Sequence, residues 1–151
     1  MKTVAITGHR VLSPQKIEVV HSAMHSLLKN DSVDRVLFGG AVGADSEALR
    51  ACLFFRQKLG KQIQLVVVTP DTVDQQPVQV QVWIKQADEV IELKNLITSE
   101  DHYNSYHIRN RYLVENAEIV IAFFNGQYKS GTGHAMRHAK LLGKKLAIIP
   151  V

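Results

Sequence analysis

Three short segments put glycine and polar side chains where an apolar run has just ended. They are Gly8-His9-Arg10, the stretch FGGAVGAD from Phe38 to Asp45, and NGQYKSGTGHAM from Asn125 to Met136. In the second, Gly39, Gly40 and Gly43 flank Ala41 and permit a sharp turn with the backbone close to a ligand. The helical pattern that follows aims free N–H groups and the positive end of its dipole at the same loop, which suits a phosphate or a ribose. In the third, Asn125 and Gly126 open the loop, and Lys129, Ser130, Thr132 and the amides of Gly131 and Gly133 can donate to an anion. Its lysine precedes the glycines, so this is not a Walker A loop, and G-x-G-x-x-G is absent, so a dinucleotide bound as in dehydrogenases is not expected. A single glycine after a strand can be a plain turn; a second such loop weakens that alternative.

Arg109 and Asn110 sit in a further helical pattern and add a guanidinium for phosphate and an amide for ribose or base. On this reading Arg109 serves the ligand and not the core, while Arg111 lies on a solvated face. Asp45 and Glu47 are the carboxylates nearest a loop and, with Arg109, the weak candidates for catalysis, although acids in a first helical turn are favourable for the helix alone. His21 and His25, and His134 and His138, are four apart and share helix faces, but neither pair has an evident third ligand, so no metal is expected. His9 and His134 lie in the candidate loops. Trp83 and Tyr106 could stack on a base, with core packing the alternative.

The elements that must position these groups alternate. Thr3 to Thr7 is a short β-branched run, Ser13-Pro14 suits a helix start, and Ile17, Val20, Met24, Leu27 and Leu28 follow at helical spacing. Strand patterns recur at 35–38, 63–68, 89–93, 118–124 and 145–149. Helical patterns cover Ala48 to Leu59, closed by Gly60, then Val73 to Ala87 with a proline inside, Asn104 to Asn116, and Thr132 to Leu142. Alternation of this kind predicts right-handed crossovers and a Rossmann-like, doubly wound, mainly parallel sheet of about six strands, with the first strand central and helices on both faces. Ligands of such sheets bind beyond the strand C-termini, at the switch point.

The 151 residues fit one domain spanning 1–151. Cys52 is the only cysteine, so an internal disulfide is excluded and a reducing cytoplasm is the expected location. MKTVAITG does not resemble a signal peptide, and no apolar run approaches a membrane span. Lys and Arg number 18 against 14 Asp and Glu, a net +4 that favours anionic partners without amounting to a nucleic-acid footprint.

ITGHR, FGGAVGAD, IRNRYLVENAEIVIAFFNG and SGTGHAMRHAKLLGKKLAII occur in an order that resembles the superfamily joining the DNA-processing protein A Rossmann domain to the LOG phosphoribohydrolases. The whole chain is most similar to its small stand-alone YpsA-type members. The resemblance implies a fold that senses or processes nucleotides or their derivatives, and it places Arg109 where LOG enzymes carry a functional arginine. Their glutamate in P-G-G-x-G-T-x-x-E is matched here by Ala135, and no carboxylate occurs from Asn125 to Val151, which counts against cleavage of an N-glycosidic bond. The leading expectation is therefore binding or sensing of a nucleotide-derived small molecule, without cofactor. The alternatives are an N-glycosidic hydrolase or transferase and a single-stranded nucleic-acid binder, the latter disfavoured by the modest charge. Self-association into a homo-oligomer is a further expectation.

Overall fold

The structure, a computed structural model, describes residues 2–94 and 102–151. Strand β1 (Lys2–Gly8) leads into helix α1 (Pro14–Leu28), β2 (Val33–Phe38) into α2 (Ala44–Leu59), and β3 (Gln64–Thr69) into α3 (Val78–Ile84). After β4 (Glu89–Glu92) come α4 (His102–Glu115), β5 (Ile119–Phe124), α5 (Gly131–Leu141) and β6 (Lys145–Pro150). The sheet runs β4-β3-β2-β1-β5-β6, with every adjacent pair parallel.

Alternation along the strands decides what covers each face. Val4, Ile6, Val36, Phe38, Leu65 and Val67 pack with residues of α1, α2 and α3, among them Met24, Ala48, Cys52 and Ile84. Their neighbours Ala5, Leu37, Val66 and Val68 point the other way, into Leu113 and Val114 of α4 and Ala135 and Ala139 of α5. Both faces of the inner strands β1, β2, β3 and β5 are mainly buried, so these strands read as nearly continuous apolar runs, whereas the edge strands β4 and β6 are largely exposed.

The winding reverses beside β1. From β1 the chain moves outward through β2, β3 and β4 with its helices on one face. It then returns through α4 to β5 on the other side of β1. The β1–β5 boundary is the switch point, where the loops after neighbouring strands part and leave a crevice.

The single helical pattern expected over Val73 to Ala87 is divided. A turn of 3-10 helix at Val73–Gln75 stops before Pro77, and α3 starts after it. Proline donates no N–H and its fixed φ suits a helix start, which explains the break. Ser13 stands at the N-cap of α1 with Pro14 at the first helical position, but its hydroxyl makes no capping bond.

Candidate functional site

A cleft of about 280 Å³ opens at the C-terminal ends of β1 and β5. Thr7 to Arg10 form one wall, with Ala41 and Asp45 from the β2–α2 connection; Tyr106, His107, Arg109 and Asn110 of α4 face them, and Ser130 to Thr132 close the end.

The first two loops are fused. The amide of Ala44 donates to the carbonyl of His9 at 3.0 Å. Gly43 has φ of 85°, and a Cβ there would lie 2.4 Å from the Arg10 carbonyl oxygen, so only glycine lets the loops close. The start of α2 is thereby pinned to the end of β1.

The floor of the cleft is polar and buried. Asp45 is 6% exposed and Arg109 is 5% exposed. One oxygen of Asp45, Oδ2, accepts from the Ala41 amide at 3.4 Å, while the buried Oδ1 has no hydrogen-bond partner among the described residues. Burial pushes its carboxyl up to about 6, with Arg109, the Ala41 amide and Arg10 pulling the other way. Burial also lowers the Arg109 guanidinium, which donates to the Gly39 carbonyl and, through Nε, to Asn110 Oδ1 at 2.9 Å. Asn110 in turn donates to the Gly131 carbonyl at 3.3 Å, tying α4 to the start of α5. A Cβ on Gly39 would stand 2.6 Å from Asp45 Oδ2 and 3.0 Å from Arg109 Cζ, so this glycine makes room for the pair.

The wall formed by α5 offers main-chain donors. The first N–H groups of a helix have no intrahelical acceptor, and Gly131 and Thr132 border the cleft at that point. Ser130 is the N-cap: its hydroxyl accepts from the Gly133 amide at 3.0 Å and donates to the Gln127 carbonyl at 2.6 Å. That use differs from the expected anion contact, because the hydroxyl proton is committed to the loop.

Cationic and aromatic groups form the rim. The exposed Arg10 lies over the Tyr106 ring, 4.7 Å from its centroid, and Arg109 lies 5.7 Å from the same ring. His9 stacks on Phe124 at 5.7 Å, and burial lowers its pKa.

The sequence matches, over residues 1–151, the family described as DNA recombination-mediator protein A. The chain belongs to this family. No curated protein matches it. DNA processing protein A from Helicobacter pylori, described for its single-stranded DNA binding mode, superposes with a TM-score of 0.75 at 23% identity, covering 99% of this chain and 66% of that one. The chain thus spans just under two thirds of that relative. TM1055, a structural genomics target, gives 0.69 at 18% identity, over 97% of this chain and 72% of its own. The molybdenum cofactor carrier protein of Chlamydomonas reinhardtii gives 0.63 at 11%, over 97% and 75%. At these identities the likeness is one of fold.

Within this family fold, the candidate residues of the sequence divide. Gly8, His9, Arg10, Ala41, Asp45, Arg109, Asn110, Ser130, Gly131 and Thr132 border one cleft. Gly40 does not: a Cβ there would approach Val67 and Thr69, so the residue turns the chain over the core. Gly133 packs under the Tyr128 carbonyl. Asn125 accepts from the Gln127 amide at 3.0 Å and, with Gly126 at φ 97°, forms an exposed turn outside the lining. Glu47 is drawn away from the cleft by His21 at 2.8 Å and Arg50 at 3.1 Å. Trp83 lies under Arg50 in a separate depression of about 920 Å³ between α2 and α3. Arg109 departs from the sequence expectation in one respect, since it is buried and bonded as a structural member of the floor. His107 and Thr7 also line the cleft and are not evident from sequence; the spacing of Tyr106, Arg109 and Asn110, three and four apart on one helix face, is the available signal.

Among the described residues no group of three or more His, Cys, Asp or Glu could hold a metal ion. No described helix is long and apolar enough to cross a membrane.

Proposed function

We propose that this chain binds a nucleotide in the cleft at the β1–β5 switch point, holding its phosphate at the start of α5 and beside Arg10. We further propose that the nucleotide is presented as part of a single DNA strand. The observation that carries this reading is the pairing of main-chain donors at Gly131 and Thr132 with a guanidinium on the opposite wall. That arrangement suits an oxyanion with several acceptor oxygens. The family match and the DNA-binding neighbour support a strand as the source of the phosphate.

Each part of the wall has a role in this account. Arg109 and Asn110 fix the relative position of the β2 loop, α4 and α5, so the cleft is formed before any ligand arrives. Arg10 is exposed and packs on Tyr106. It can turn to a phosphate and release the ring face for a base, since stacking on aromatic rings is tolerant of sequence.

A second reading, a free nucleotide derivative, is favoured by the volume of about 280 Å³, at the small end for ligand pockets, and by the buried polar floor. Fluorescence anisotropy with labelled oligothymidylate, competed by thymidine monophosphate, separates the two. The strand reading predicts that the oligonucleotide binds more tightly than the monomer. It also predicts that Arg10→Ala weakens strand binding about ten- to hundredfold, as expected for removal of one charge-assisted hydrogen bond. Tighter binding of the monomer supports the second reading, and binding of neither refutes both.

A further inference from the structure

Beyond the cleft, α4 and α5 face each other across a group of basic side chains. His107 lines the cleft, and its ring centroid lies 3.9 Å from that of His134, with the planes tilted by 41°. The Nε2 atom of His134 is buried and makes no hydrogen bond among the described residues. Arg111, one turn beyond His107, and Arg137, three residues beyond His134, are both exposed. Arg137 gives one of its five donors to the Tyr128 carbonyl at 2.8 Å.

Among the described residues the neighbours of His134 are themselves basic. Burial, followed by His107, Arg111, Arg137 and His138, pushes His134 down to about 4, and all four of these neighbours are bases. His107 is lowered for the same reasons, by burial and by Arg111 and Arg137. Glu115, the nearby acid of α4, is bonded to His138 at 3.1 Å. No carboxylate occurs from Asn125 to Val151, so α5 and its flanking loop bring none. His134, with its buried Nε2 unbonded among the described residues and basic groups around it, is a costly arrangement for the fold alone. An anion would offset it.

We propose that His107, Arg111, His134 and Arg137 form a second phosphate subsite, which takes the phosphodiester next to the one held at the start of α5. The inference rests on the strand reading above. His107 belongs to both the cleft wall and the cluster, so the two subsites share a boundary, as successive phosphates of one strand require. The cluster gives the strand a direction of exit, along the α4–α5 seam. A phosphate there also restores the basicity of the histidines, so its binding draws in a proton.

The test compares thymidine monophosphate with 5′-phosphorylated thymidine dinucleotide and oligothymidylate, using the parent chain and an Arg111→Gln/Arg137→Gln double variant. Both replaced side chains are exposed, and equal melting temperatures check the fold. The double variant should bind oligothymidylate at least about tenfold more weakly, and its salt slope should fall by about 0.7 for each phosphate that is no longer neutralised. Its affinity for the monophosphate should be that of the parent. In the parent, the advantage of dinucleotide over mononucleotide should grow as pH falls from about 7 towards about 5. An unchanged salt slope, an equal loss for monomer and strand, or a pH-independent advantage overturns the subsite while leaving the cleft reading intact. A parent that binds none of the three ligands overturns both.

Discussion

Asp45→Asn isolates the electrostatics of the cleft floor. The carboxyl is buried and raised from 3.8 to about 6, with burial the main cause. That is roughly two units, which at about 1.4 kcal/mol per unit amounts to about 3 kcal/mol of pH-dependent stability. Between the two values the folded chain holds the proton and the unfolded chain has released it. The contribution is therefore full below about pH 3.8 and is lost as pH rises through about 6. Asparagine has the shape of the neutral carboxyl and cannot ionise. Urea unfolding of parent and variant across a pH series should show their difference moving by about 3 kcal/mol in favour of the variant between about pH 4 and pH 7. His9, His107 and His134, all lowered, act in the opposite direction, because the unfolded chain binds their protons more readily. They are common to both proteins and cancel in the difference. A difference independent of pH would refute the burial of the Asp45 carboxylate as the dominant feature of this floor.

Three further outcomes follow from the same geometry. Arg109→Ala leaves Asp45 and the Gly39 carbonyl without their cation, and should cost about 3–5 kcal/mol near neutral pH, with a smaller loss when Asp45 is already asparagine; a double-mutant cycle by urea unfolding measures it. Gly39→Ala puts a methyl against Asp45 and Arg109 and should cost about 1–3 kcal/mol, read as a lower melting temperature. Ser130→Ala removes the N-cap of α5 and should cost about 1 kcal/mol, with amide exchange accelerated at Gly133.

Much of the fold is legible in the sequence because the inner strands are buried on both faces. Runs such as Leu65 to Val68 and Ile119 to Phe124 stand out without any alternation, and each is followed by glycine or proline where the chain leaves the sheet. Right-handed crossovers then place the helices on opposite faces once the chain returns to β5 on the other side of β1. Pro77 is visible, but whether it kinks or divides a helix depends on what the next turn packs against, here Val80 and Ile84 in the core. The cleft is legible to the level of which loops converge. It is not legible to the level of which side chain does what. Arg109 on one helix and Gly39 seventy residues earlier meet only through the tertiary fold, so burial of the arginine has no local signal. For Asn125 and Ser130, the side chains that could bind an anion are the same ones that make Asx turns and helix caps. The pairing of His107 with His134 joins two helices and has no signature in either.

Occupation of the β1–β5 cleft by a nucleotide of single-stranded DNA is tested most directly by photocrosslinking. An oligothymidylate carrying 4-thiothymidine is crosslinked to the chain and the adducts are mapped by peptide. They should fall within Thr7 to Arg10, at Tyr106 or within Ser130 to Thr132, and excess unlabelled strand should suppress them. Adducts confined to the depression between α2 and α3, at Phe54 or Trp83, would contradict occupation of the cleft.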